Sequence, residues 1–508
     1  MTATHPFTIR LHNSDNVVVA RVDIPAGTKV PEEQVICRDP ISFGHKVAAC
    51  AIKAGDAVKK YGQIIGFASK DIQPGEHVHT HNIAMKAFDR DYAIGADAEL
   101  EPEYEAEPAA FKGIVRSDGR VATRNYIGLI STVNCSASVT RFVADAFKGD
   151  ALADFPNVDG VVPICHGMGC ACSNNQEGFE ILLNILAGYI RNPNFAAIQV
   201  IGLGCEVMQI DTLFQRRDLQ EHALLQTMTI QGTGGTRKTV QQGIERVRAV
   251  LPVVNRVERT QVSAGHLILG LQCGGSDAYS GITANPSLGA AVDLMVRHGG
   301  TAVLGETPEI YGAEHLLTRR AVSREVGEKL IDRIHWWENY TAKNNAEMDN
   351  NPSPGNKAGG LTTILEKSLG AVAKGGTGNL VDVLHYAHPI TGKGLMFMDT
   401  PGYDPVSLTG MVAGGANVIC FTTGRGSVYG CKPVPSIKLA TNTEMYRRME
   451  DDMDINCGET LDGSTSVEEM GRRIFKFILN VASGQKTKSE INGIGDDEFV
   501  PWNIGAVM

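Results

Sequence analysis

Four segments of the chain place one or more cysteines after a predicted β-strand, within a turn rich in glycine or polar residues. They are STVNCSAS with Cys135, ICHGMGCAC with Cys165, Cys170 and Cys172, GLGCE with Cys205, and LQCGGSD with Cys273. Ligands of open parallel α/β sheets bind beyond the carboxyl ends of the strands, so these thiols could surround one crevice. With Glu206 beside them, they would suit iron, zinc or an iron–sulfur cluster. The alternative is that cysteine serves here as a small residue in tight turns, because no zinc-finger spacing is present.

Polar residues in three other turns could bind an anion or move protons. The turn CGGSD, with Ser276 and Asp277, leads into a predicted helix and offers backbone N–H groups to an anion. Arg425, in the turn TGRG, could hold a carboxylate through two parallel hydrogen bonds. In NPSPGNK, Asn356 and Lys357 lie on a rigid turn, where desolvation would make the lysine a candidate general base. For the arginine and the lysine, the plain alternative is a solvated turn residue.

Histidines form a third set of candidates in the first hundred residues. His77, His79 and His81 alternate in HVHTH, so in a strand they would share one face. Three imidazoles on one face suit a metal or proton transfer, and an exposed polar strand is the alternative. His12, in HNSDNV, and His45, in GHK, each lie beside a predicted turn.

The elements that must position these residues begin with a β-rich module, residues 1–92. Its octapeptides DIPAGTKV, AIKAGDAV and DIQPGEHV repeat a turn with glycine at the fifth position, which predicts a compact β-clip or barrel. Residues 93–110 follow with six acids, no base and two prolines. Such a self-repelling segment is typical of a linker.

From residue 111 onward, apolar runs of strand length alternate with helical patterns. Strands are predicted at 126–133, 160–164, 197–203, 266–272, 301–306 and 417–423, with helices such as 178–190 and 241–251 between them. Apolar strands between helices predict a buried, mostly parallel sheet. A polar loop, 343–360, divides this region into an α/β catalytic domain, 111–342, and a C-terminal α/β domain, 343–508. The expected fold class is therefore α/β and multi-domain.

Composition excludes several classes of protein. The 508 residues carry 47 basic and 57 acidic side chains, a formal net charge of −10. Because there is no polybasic run, we expect neither nucleic acid nor an anionic membrane as partner. No apolar stretch of about 18 residues and no secretory signal pattern is found, so a cytoplasmic location is expected. The 11 cysteines are then thiols rather than a disulfide framework.

Ordered motifs along nearly the whole chain, taken together, point to one family. They are His12 with Asp15-Asn16, Gly44-His45-Lys46, Tyr61-Gly62, DGRVATRN, Cys135, His166 with Gly169-Cys170, GLGCE, CGGSDAYSGITANP, Glu306 with Glu309, NPSPGNKAGG, Glu366-Lys367, TGRG and KLATNTE. In this order they resemble the bacterial altronate and galactarate dehydratases. The resemblance implies that the first module is a SAF-type β-clip domain. We expect it to close over the substrate, because the polar motifs HNSDN and GHK cluster there, and the alternative is a module for oligomerisation.

The resemblance implies a hydro-lyase that removes water from a sugar acid. A base takes the C2 proton, the C3 hydroxyl leaves, and the enol product tautomerises to a 2-keto-3-deoxy acid. D-altronate is the expected substrate because HVHTHN is more similar to altronate dehydratases. Galactarate is the alternative, since LLTRRAVSREVGEKL is more similar to galactarate dehydratases. Loss of another leaving group, such as sulfite from sulfolactate, and a binding-only regulator remain competing functions.

The resemblance also implies a cofactor and roles for the candidate residues. The cofactor is a divalent metal, Fe(II) first, with Mn(II) or an iron–sulfur cluster as alternatives. The expected metal ligands or site-lining groups are Cys135, Cys170, Cys205, Cys273 and Glu206. The expected acid–base residues are His45, Lys46, His166 and Lys357. The expected substrate-binding residues are His12, Asn16, Ser276, Asp277, Asn356 and Arg425. A homodimer that binds a small sugar acid is expected from the frequency of two-fold assemblies.

Overall fold

The computed structural model describes residues 6–86, 88, 90–99 and 104–505. Its first region is the predicted β-clip, built of short strands joined by tight turns. The strands are β1 Thr8–Ile9, β2 Val17–Ala20, β3 Lys29–Val30, β4 Val35–Ile36, β5 Lys46–Ala48, β6 Ala57–Lys60, β7 Gln63–Ala68, β8 His77–Val78 and β9 Ile83–Ala84. They form a four-stranded sheet in the order β1-β2-β5-β8, a three-stranded sheet β6-β7-β9 and a pair β3-β4.

The repeated octapeptides form turns that need glycine. Gly27, Gly55 and Gly75 have φ angles of +84°, +89° and +83°, which L side chains rarely adopt. At Gly75 a Cβ atom would also lie 1.9 Å from the carbonyl oxygen of Ile36. The fifth-position glycine of this repeat therefore permits both the turn and the close approach of two backbones.

The described parts of the acidic segment 93–110 form hydrogen bonds with Arg319 and Asn379, far along the chain. Asp97 accepts two hydrogen bonds from the Arg319 guanidinium group, at 2.6 and 3.0 Å. Glu99 and Asn379 exchange two hydrogen bonds of 2.8 and 2.7 Å. Residues 100–103 lie outside the described residues. A self-repelling linker was predicted from these acids, but at least one of them, Asp97, is paired with an opposite charge.

The second region is an α/β domain around a four-stranded sheet. Its elements are β10 Ala110–Val115, β11 Val121–Ala122, β12 Tyr126–Ser131, β13 Gly160–Ile164, β14 Phe195–Gly202, β15 Leu225–Thr229, α1 Asn134–Asp145, α2 Glu177–Arg191, α3 Ile210–Arg216, α4 Ile230–Thr233 and α5 Thr236–Val254. The sheet has the order β13-β12-β14-β15, and every pair is parallel. Because β12 is buried at all six positions, its sequence YIGLIS lacks charge.

The third region is built on a seven-stranded parallel sheet. Its elements are β16 Thr260–Ser263, β17 Ile268–Cys273, β18 Thr301–Leu304, β19 Leu380–Leu384, β20 Gly394–Met398, β21 Val418–Thr423, β22 Ser436–Ala440, β23 Ile455–Asn456, α6 Ala284–Arg297, α7 His315–Thr318, α8 Arg324–Lys343, α9 Pro354–Ala358, α10 Ile364–Val372, α11 Asp404–Gly414, α12 Thr443–Arg448, α13 Val467–Ala482 and α14 Lys488–Ile491. The strand order is β19-β20-β18-β17-β21-β22-β23, and all pairs are parallel. The remaining strand, β16, pairs with β10.

The predicted domain division at 342/343 differs from the structure. Strands β17 and β18 precede that point and β19 to β23 follow it, yet all seven share one sheet. The sheets separate earlier, between β15 and β17. The polar loop that suggested a boundary instead joins α8 to α9 within one domain, because loop composition reports solvent exposure rather than domain ends.

The seven-stranded sheet is covered on both faces, which fixes the carboxyl edge where its strands end. Leu269 and Leu271 of β17 pack with α6 and α13, whereas Val303 and Ile419 pack with α11. Helix α13 carries one apolar stripe and begins with a capping box between Ser466 and Glu469. Among the helices of the described residues, none is long and apolar enough to cross a membrane.

Candidate active site

Ionisable side chains meet at the carboxyl edge of the seven-stranded sheet. Cys273 is the last residue of β17, Glu306 and Glu309 follow β18, and Asp404 begins α11 after β20. Because parallel strands end at the same edge, residues far apart in the chain converge there. Lys367 on α10 and a second lysine, Lys374, complete the set.

We call Cys273, Glu306, Glu309, Lys367 and Lys374 the thiol–carboxylate cluster. The thiol sulfur lies 3.9 Å from the Glu306 carboxylate and 3.7 Å from that of Glu309. Lys374 Nζ lies 2.8 Å from the sulfur and 3.6 Å from Glu306 Oε2. Lys367 Nζ donates to Glu309 Oε1 at 2.6 Å. All five side chains are buried, so each charge depends on its neighbours for compensation.

Burial and neighbouring charges set the protonation of this region. Desolvation raises the pKa of the Cys273 thiol to about 12, so the sulfur is protonated at neutral pH. Desolvation, and then the charge of Glu309, raise the pKa of Asp404 to about 6. Burial lowers the pKa of Lys367, but the charge of Glu309 and the hydrogen bond to it favour the ammonium form, and the pKa is raised overall. The region thus pairs a carboxylate that titrates near neutrality with an ammonium group that stays charged.

A cavity of about 500 Å³ opens beside the cluster. Glu309, Lys367 and Asp404 line it together with Asn351 and Asn356. Its volume falls within the range of about 300–1,000 Å³ that is typical of small-molecule sites. The cavity therefore offers a small polar ligand both an acid and a base.

A second group, the histidine cluster, lies in the β-clip and consists of His45, His77 and His79. One ring nitrogen of each lies within 4.8 Å of the others. The His45 Nδ1 and His77 Nε2 atoms are 3.0 Å apart. The three rings are only partly solvated, and desolvation lowers the pKa of His77 to about 4 and of His79 to about 3. The ring of His81 also lies near that of His77, with centroids 5.4 Å apart and the planes tilted by 42°, but His81 is exposed.

Helix α9 and the two glycines after it join the two groups. The backbone carbonyl of Ala358 accepts from His45 Nε2 at 3.3 Å, while Asn356 on the same helix lines the cavity. Gly359 packs between Gly44 of the β-clip and Arg425. Segment 356–360 therefore lies where the β-clip meets the carboxyl edge of the large sheet.

Most of the predicted acid–base and substrate-binding residues gather around this segment. His45 bonds to Ala358, Lys46 to Gly360, and Asn356 to Ser276, and Asp277 and Arg425 flank Gly359. Lys357 is half-buried on α9 itself. Sequence motifs from the β-clip, the CGGSD turn, the NPSPGNK loop and the TGRG turn are thus brought to one place.

Several of these residues hold the backbone rather than face a ligand. Lys46 Nζ donates to both oxygens of Glu366, at 3.0 and 2.9 Å, and to the Gly360 carbonyl. Lys60 donates to the same carboxylate at 3.0 Å. Since Glu366 pins two β-clip strands to α10, Lys46 is better described as a positioning residue than as a base.

The turn residue Asp277 also has a backbone role. Its carboxylate accepts hydrogen bonds from Thr441 at 3.0 Å and from Asn442 at 3.1 Å, besides others from its own turn. Asn16 similarly bridges strand β6, donating to Ala57 and accepting from Lys59. These side chains fix the turns that carry the site.

Two predicted substrate residues remain less engaged. The buried Ser276 hydroxyl finds no hydrogen-bond partner among the described residues. Arg425 is exposed, and no hydrogen bond joins its guanidinium group to the described residues, although its backbone bonds to Gly275 at the cavity wall. His12 is exposed on the β-clip, where its ring contacts Gly62 and bonds to Ser14. The guanidinium group of Arg425 is therefore open to an anionic ligand.

The predicted metal set is divided between two sheets. Cys135, Cys170 and Cys205 are exposed at the edge of the four-stranded sheet, whereas Cys273 is buried at the edge of the seven-stranded sheet. Cys273 therefore does not share a sheet edge with the other three thiols. The carboxylate of Glu206 accepts from Thr132 and from the backbone of Leu203 and Gly204, and so shapes its own loop.

His166 also lies apart from the cavity, on the loop after β13. Its Nε2 bonds to the Ser131 carbonyl at 3.0 Å, and its Nδ1 accepts from the Met168 N–H at 3.1 Å. With both ring nitrogens used by backbone groups, His166 orders the loop and has no free nitrogen for proton transfer.

Five residues described above had no role predicted from the sequence. Asp404, Lys374 and Lys60 were not candidates, and Glu309 and Lys367 appeared only as parts of the segments that resemble the family. A usable signal existed for Glu309, which follows strand β18 closely. Asp404 stands at the start of α11 just after β20, a strand that was not predicted from the sequence. The rule that ligands bind beyond the carboxyl ends of the strands selected the cysteines as candidates. Applied to acidic residues, the same rule would have identified the thiol–carboxylate cluster.

The fold and this site define a multi-domain α/β protein with buried ionisable side chains at the carboxyl edge of a parallel sheet. Three family models match the chain in order. They are the altronate/galactarate dehydratase SAF domain over residues 6–86, the second domain of D-galactarate dehydratase/altronate hydrolase over 113–255, and the C-terminal domain of D-galactarate/altronate dehydratase over 264–507. The chain belongs to the galactarate/altronate dehydratase family.

Known relatives agree with this assignment. Galactarate dehydratase (L-threo-forming) of Escherichia coli (strain K12) is 38% identical over 489 residues, 94% of this chain and 93% of that protein. Altronate dehydratase of Bacillus subtilis (strain 168) is 35% identical over 486 residues, 95% of this chain and 96% of that protein. The (2R)-sulfolactate sulfo-lyase subunit beta of Chromohalobacter salexigens is 30% identical over 409 residues, 78% of this chain and 98% of that subunit. The predicted family and the predicted hydro-lyase class are confirmed.

Proposed function

We propose that this enzyme dehydrates a sugar acid in the cavity at the carboxyl edge of the seven-stranded sheet. The observation that carries the proposal is the Lys367–Glu309 ion pair beside Asp404 in the wall of one cavity. The reaction needs a base for the C2 proton, positive charge for the enediolate, and an acid for the departing C3 hydroxyl. The cavity and its rim supply side chains for all three needs.

Asp404 is the proposed base. A catalytic base works best when its pKa lies near the working pH, and desolvation raises the pKa of this carboxyl to about 6. Gln272 Nε2 donates to Asp404 Oδ1 at 3.0 Å, which fixes one oxygen. The other oxygen is then available to take the C2 proton.

Lys367 is the proposed acid. Its ammonium group is held by Glu309 and by Asn351, at 2.6 and 2.9 Å, and the raised pKa keeps it charged. A charged donor in a cavity can protonate the leaving hydroxyl and stabilise negative charge on the enediolate. Arg425 would hold the substrate carboxylate through its exposed guanidinium group.

A divalent metal is part of the proposal, Fe(II) first and Mn(II) second. Among the described residues, three ligand atoms lie within 4.8 Å of one another at Cys273, Glu306 and Glu309, and at the histidine cluster. In the first group Lys367 and Lys374 already hold Glu309 and the thiol, and burial keeps the thiol protonated. Only Glu306 has a buried oxygen without a hydrogen-bond partner among the described residues, and a single such oxygen is a poorer fit for an ion than a set of open donors. The histidine cluster offers neutral imidazoles, which such ions accept as ligands. When bound, the ion would add positive charge that stabilises an enediolate.

The first proposed substrate is D-altronate, and the alternative is galactarate. The motif HVHTHN favours altronate, whereas the 38% identity to a galactarate dehydratase favours galactarate. The similarity to a sulfo-lyase subunit supports sulfolactate as a third substrate, with sulfite in place of water as the leaving group.

The test is an anaerobic activity screen of purified, Fe(II)-reconstituted full-length protein. D-altronate, galactarate and other sugar acids are offered, 2-keto-3-deoxy acid formation is measured, and sulfite release from sulfolactate is measured in parallel. We expect turnover of at least one sugar acid, its loss with a chelator and its return with Fe(II). Shifts in melting temperature with sugar acids, but no product from any of them, would contradict the proposal in favour of a binding-only protein. Sulfite release alone would contradict it in favour of the sulfo-lyase.

A further inference from the structure

We propose that His45, His77 and His79 form a binding site for one divalent transition-metal ion, located where the β-clip meets the C-terminal domain. The site does not include any of the cysteines that sequence analysis favoured. Its existence follows from geometry in the β-clip, and its part in catalysis rests on the proposed function.

Strand pairing brings the three rings together. Strands β5 and β8 are antiparallel, with Lys46 opposite Val78 and Val47 opposite His77. The next step of this register sets His45 opposite His79. His77 lies in β8 and His79 follows it directly, and their rings stack with centroids 5.4 Å apart. The HVHTH pattern therefore supplies two ligands, and the GHK motif supplies the third from the neighbouring strand.

The turn after β8 is locked so that the rings stay close. Asn82 accepts a hydrogen bond from the His79 backbone N–H at 2.9 Å and donates to the His77 carbonyl at 2.9 Å. The buried amide of Asn82 thus closes the turn around His79. This bonding fixes the backbone that carries both imidazoles before any ligand arrives.

The polar atoms of the cluster are not all satisfied within the protein. His79 Nδ1 is buried and has no hydrogen-bond partner among the described residues. His45 Nδ1 and His77 Nε2 face each other at 3.0 Å, so at most one of them carries a proton in a favourable contact. A buried nitrogen without a partner costs free energy. A metal ion among the three rings would provide that missing partner.

The donor set defines the class of ion. Imidazole nitrogens suit zinc, iron, copper and nickel, and no carboxylate oxygen joins the cluster within the described residues. Three protein ligands leave open positions, as in catalytic rather than structural metal sites. Because His45 Nε2 also contacts the Ala358 carbonyl at 3.3 Å, an ion here would strengthen the contact between the β-clip and α9.

The experiment uses metal-free full-length protein titrated with Co(II) alone, followed by visible absorption and by equilibrium dialysis. We expect one bound Co(II) per chain, with a ligand-field spectrum that lacks thiolate charge transfer. His77→Ala and His79→Gln should each weaken binding at least about 100-fold. The matched control His335→Ala, at an exposed histidine of α8, should bind as the wild type does, and so should Cys273→Ser.

Three outcomes would overturn the site. They are no Co(II) binding by the wild type, binding that survives both histidine variants, and a thiolate spectrum that disappears in Cys273→Ser. Since His79 lies outside the strand, circular dichroism and thermal melting of His79→Gln separate lost ligation from lost folding. The metal site and the proposed function can fail separately. If the histidines bind Co(II) but no sugar acid is turned over, the proposed function is wrong and the metal site is not affected. If a sugar acid is turned over but Co(II) does not bind, only the metal site is wrong.

Discussion

Lys367 and Glu309 form a 2.6 Å ion pair in the wall of the cavity, and Asn351 bonds to both partners. The pair joins α10 to the segment after β18, so the polar groups of the cavity are fixed by the same contacts that pack the domain. A charged group held this way is oriented before substrate binds, which lowers the reorganisation that catalysis requires.

Replacing Lys367 by methionine should lower kcat by about 100-fold or more, because the departing hydroxyl loses its proton donor. The variant also leaves the buried Glu309 carboxylate unpaired, at a cost of about 3 kcal/mol in unfolding free energy. Lys367→Met with Glu309→Gln should recover much of that stability but not the activity. The exposed Lys329→Met serves as control. Recovery of turnover in the double variant would exclude Lys367 as the acid.

Activity should depend on a carboxylate that titrates near pH 6. The base must be deprotonated, and desolvation raises the pKa of Asp404 to about 6. We therefore expect kcat/KM to fall as the pH decreases through about 6. Asp404→Asn should remove this acidic limb together with about 100-fold or more of the rate. An unchanged pH profile in Asp404→Asn would show that another group is the base.

The Glu366 carboxylate should make stability depend on pH at the acidic end. Desolvation would raise its pKa, but Lys46 and Lys60 outweigh this and lower the pKa from 4.5 to about 2. The depressed value contributes about 3 kcal/mol that is fully present above about pH 4.5 and is lost as the pH falls toward 2. Urea unfolding between pH 6 and 3 measures it. In Glu366→Gln this pH dependence should shrink, while the exposed Glu328→Gln should retain it.

Gly75→Ala should destabilise the β-clip by at least about 2 kcal/mol. The alanine Cβ would lie 1.9 Å from the Ile36 carbonyl oxygen, in addition to the strain of a positive φ. Gly55→Ala is a matched control with φ of +89° and nothing within 4 Å of the new Cβ, so we expect only about 1 kcal/mol there. Equal losses in thermal unfolding of the two variants would show that the close backbone contact is absent.

Arg425→Lys should raise KM for the sugar acid about 10-fold with a smaller change in kcat, because lysine cannot form two parallel hydrogen bonds to a carboxylate. Steady-state kinetics measures the split between KM and kcat. Arg447→Lys, at an exposed arginine of α12, should leave both constants unchanged. If Arg425→Lys behaves like this control, the substrate carboxylate is held elsewhere.

The sequence was sufficient to locate six of the eleven strands in the two parallel sheets, because their apolar runs are limited by turns. The segment GVVPI, for example, was predicted at 160–164 and is strand β13 over those residues. The turn glycines of the β-clip were equally readable, since few other residues tolerate their φ. Family resemblance then gathered His45, Asn356 and Arg425 as candidates, and these do lie around one short helix.

Sheet membership is what the sequence could not supply. Cysteines after β12, β14 and β17 look alike along the chain, but β17 belongs to a different sheet, and only Cys273 reaches the cavity. Contacts across long separations, such as that of Lys46 with Glu366, depend on how the β-clip docks and leave no local pattern. The predicted homodimer and cytoplasmic location stay predictions.

The central claim is that Asp404 and Lys367 dehydrate a sugar acid in this cavity. Its most direct test is nuclear magnetic resonance in D₂O of Fe(II)-reconstituted wild type and Asp404→Asn, each with D-altronate and with galactarate. We predict that the wild type forms a 2-keto-3-deoxy acid with one deuterium at C3, delivered when the enol tautomerises, and that Asp404→Asn forms almost none. The same product at the wild-type rate from Asp404→Asn would contradict the account.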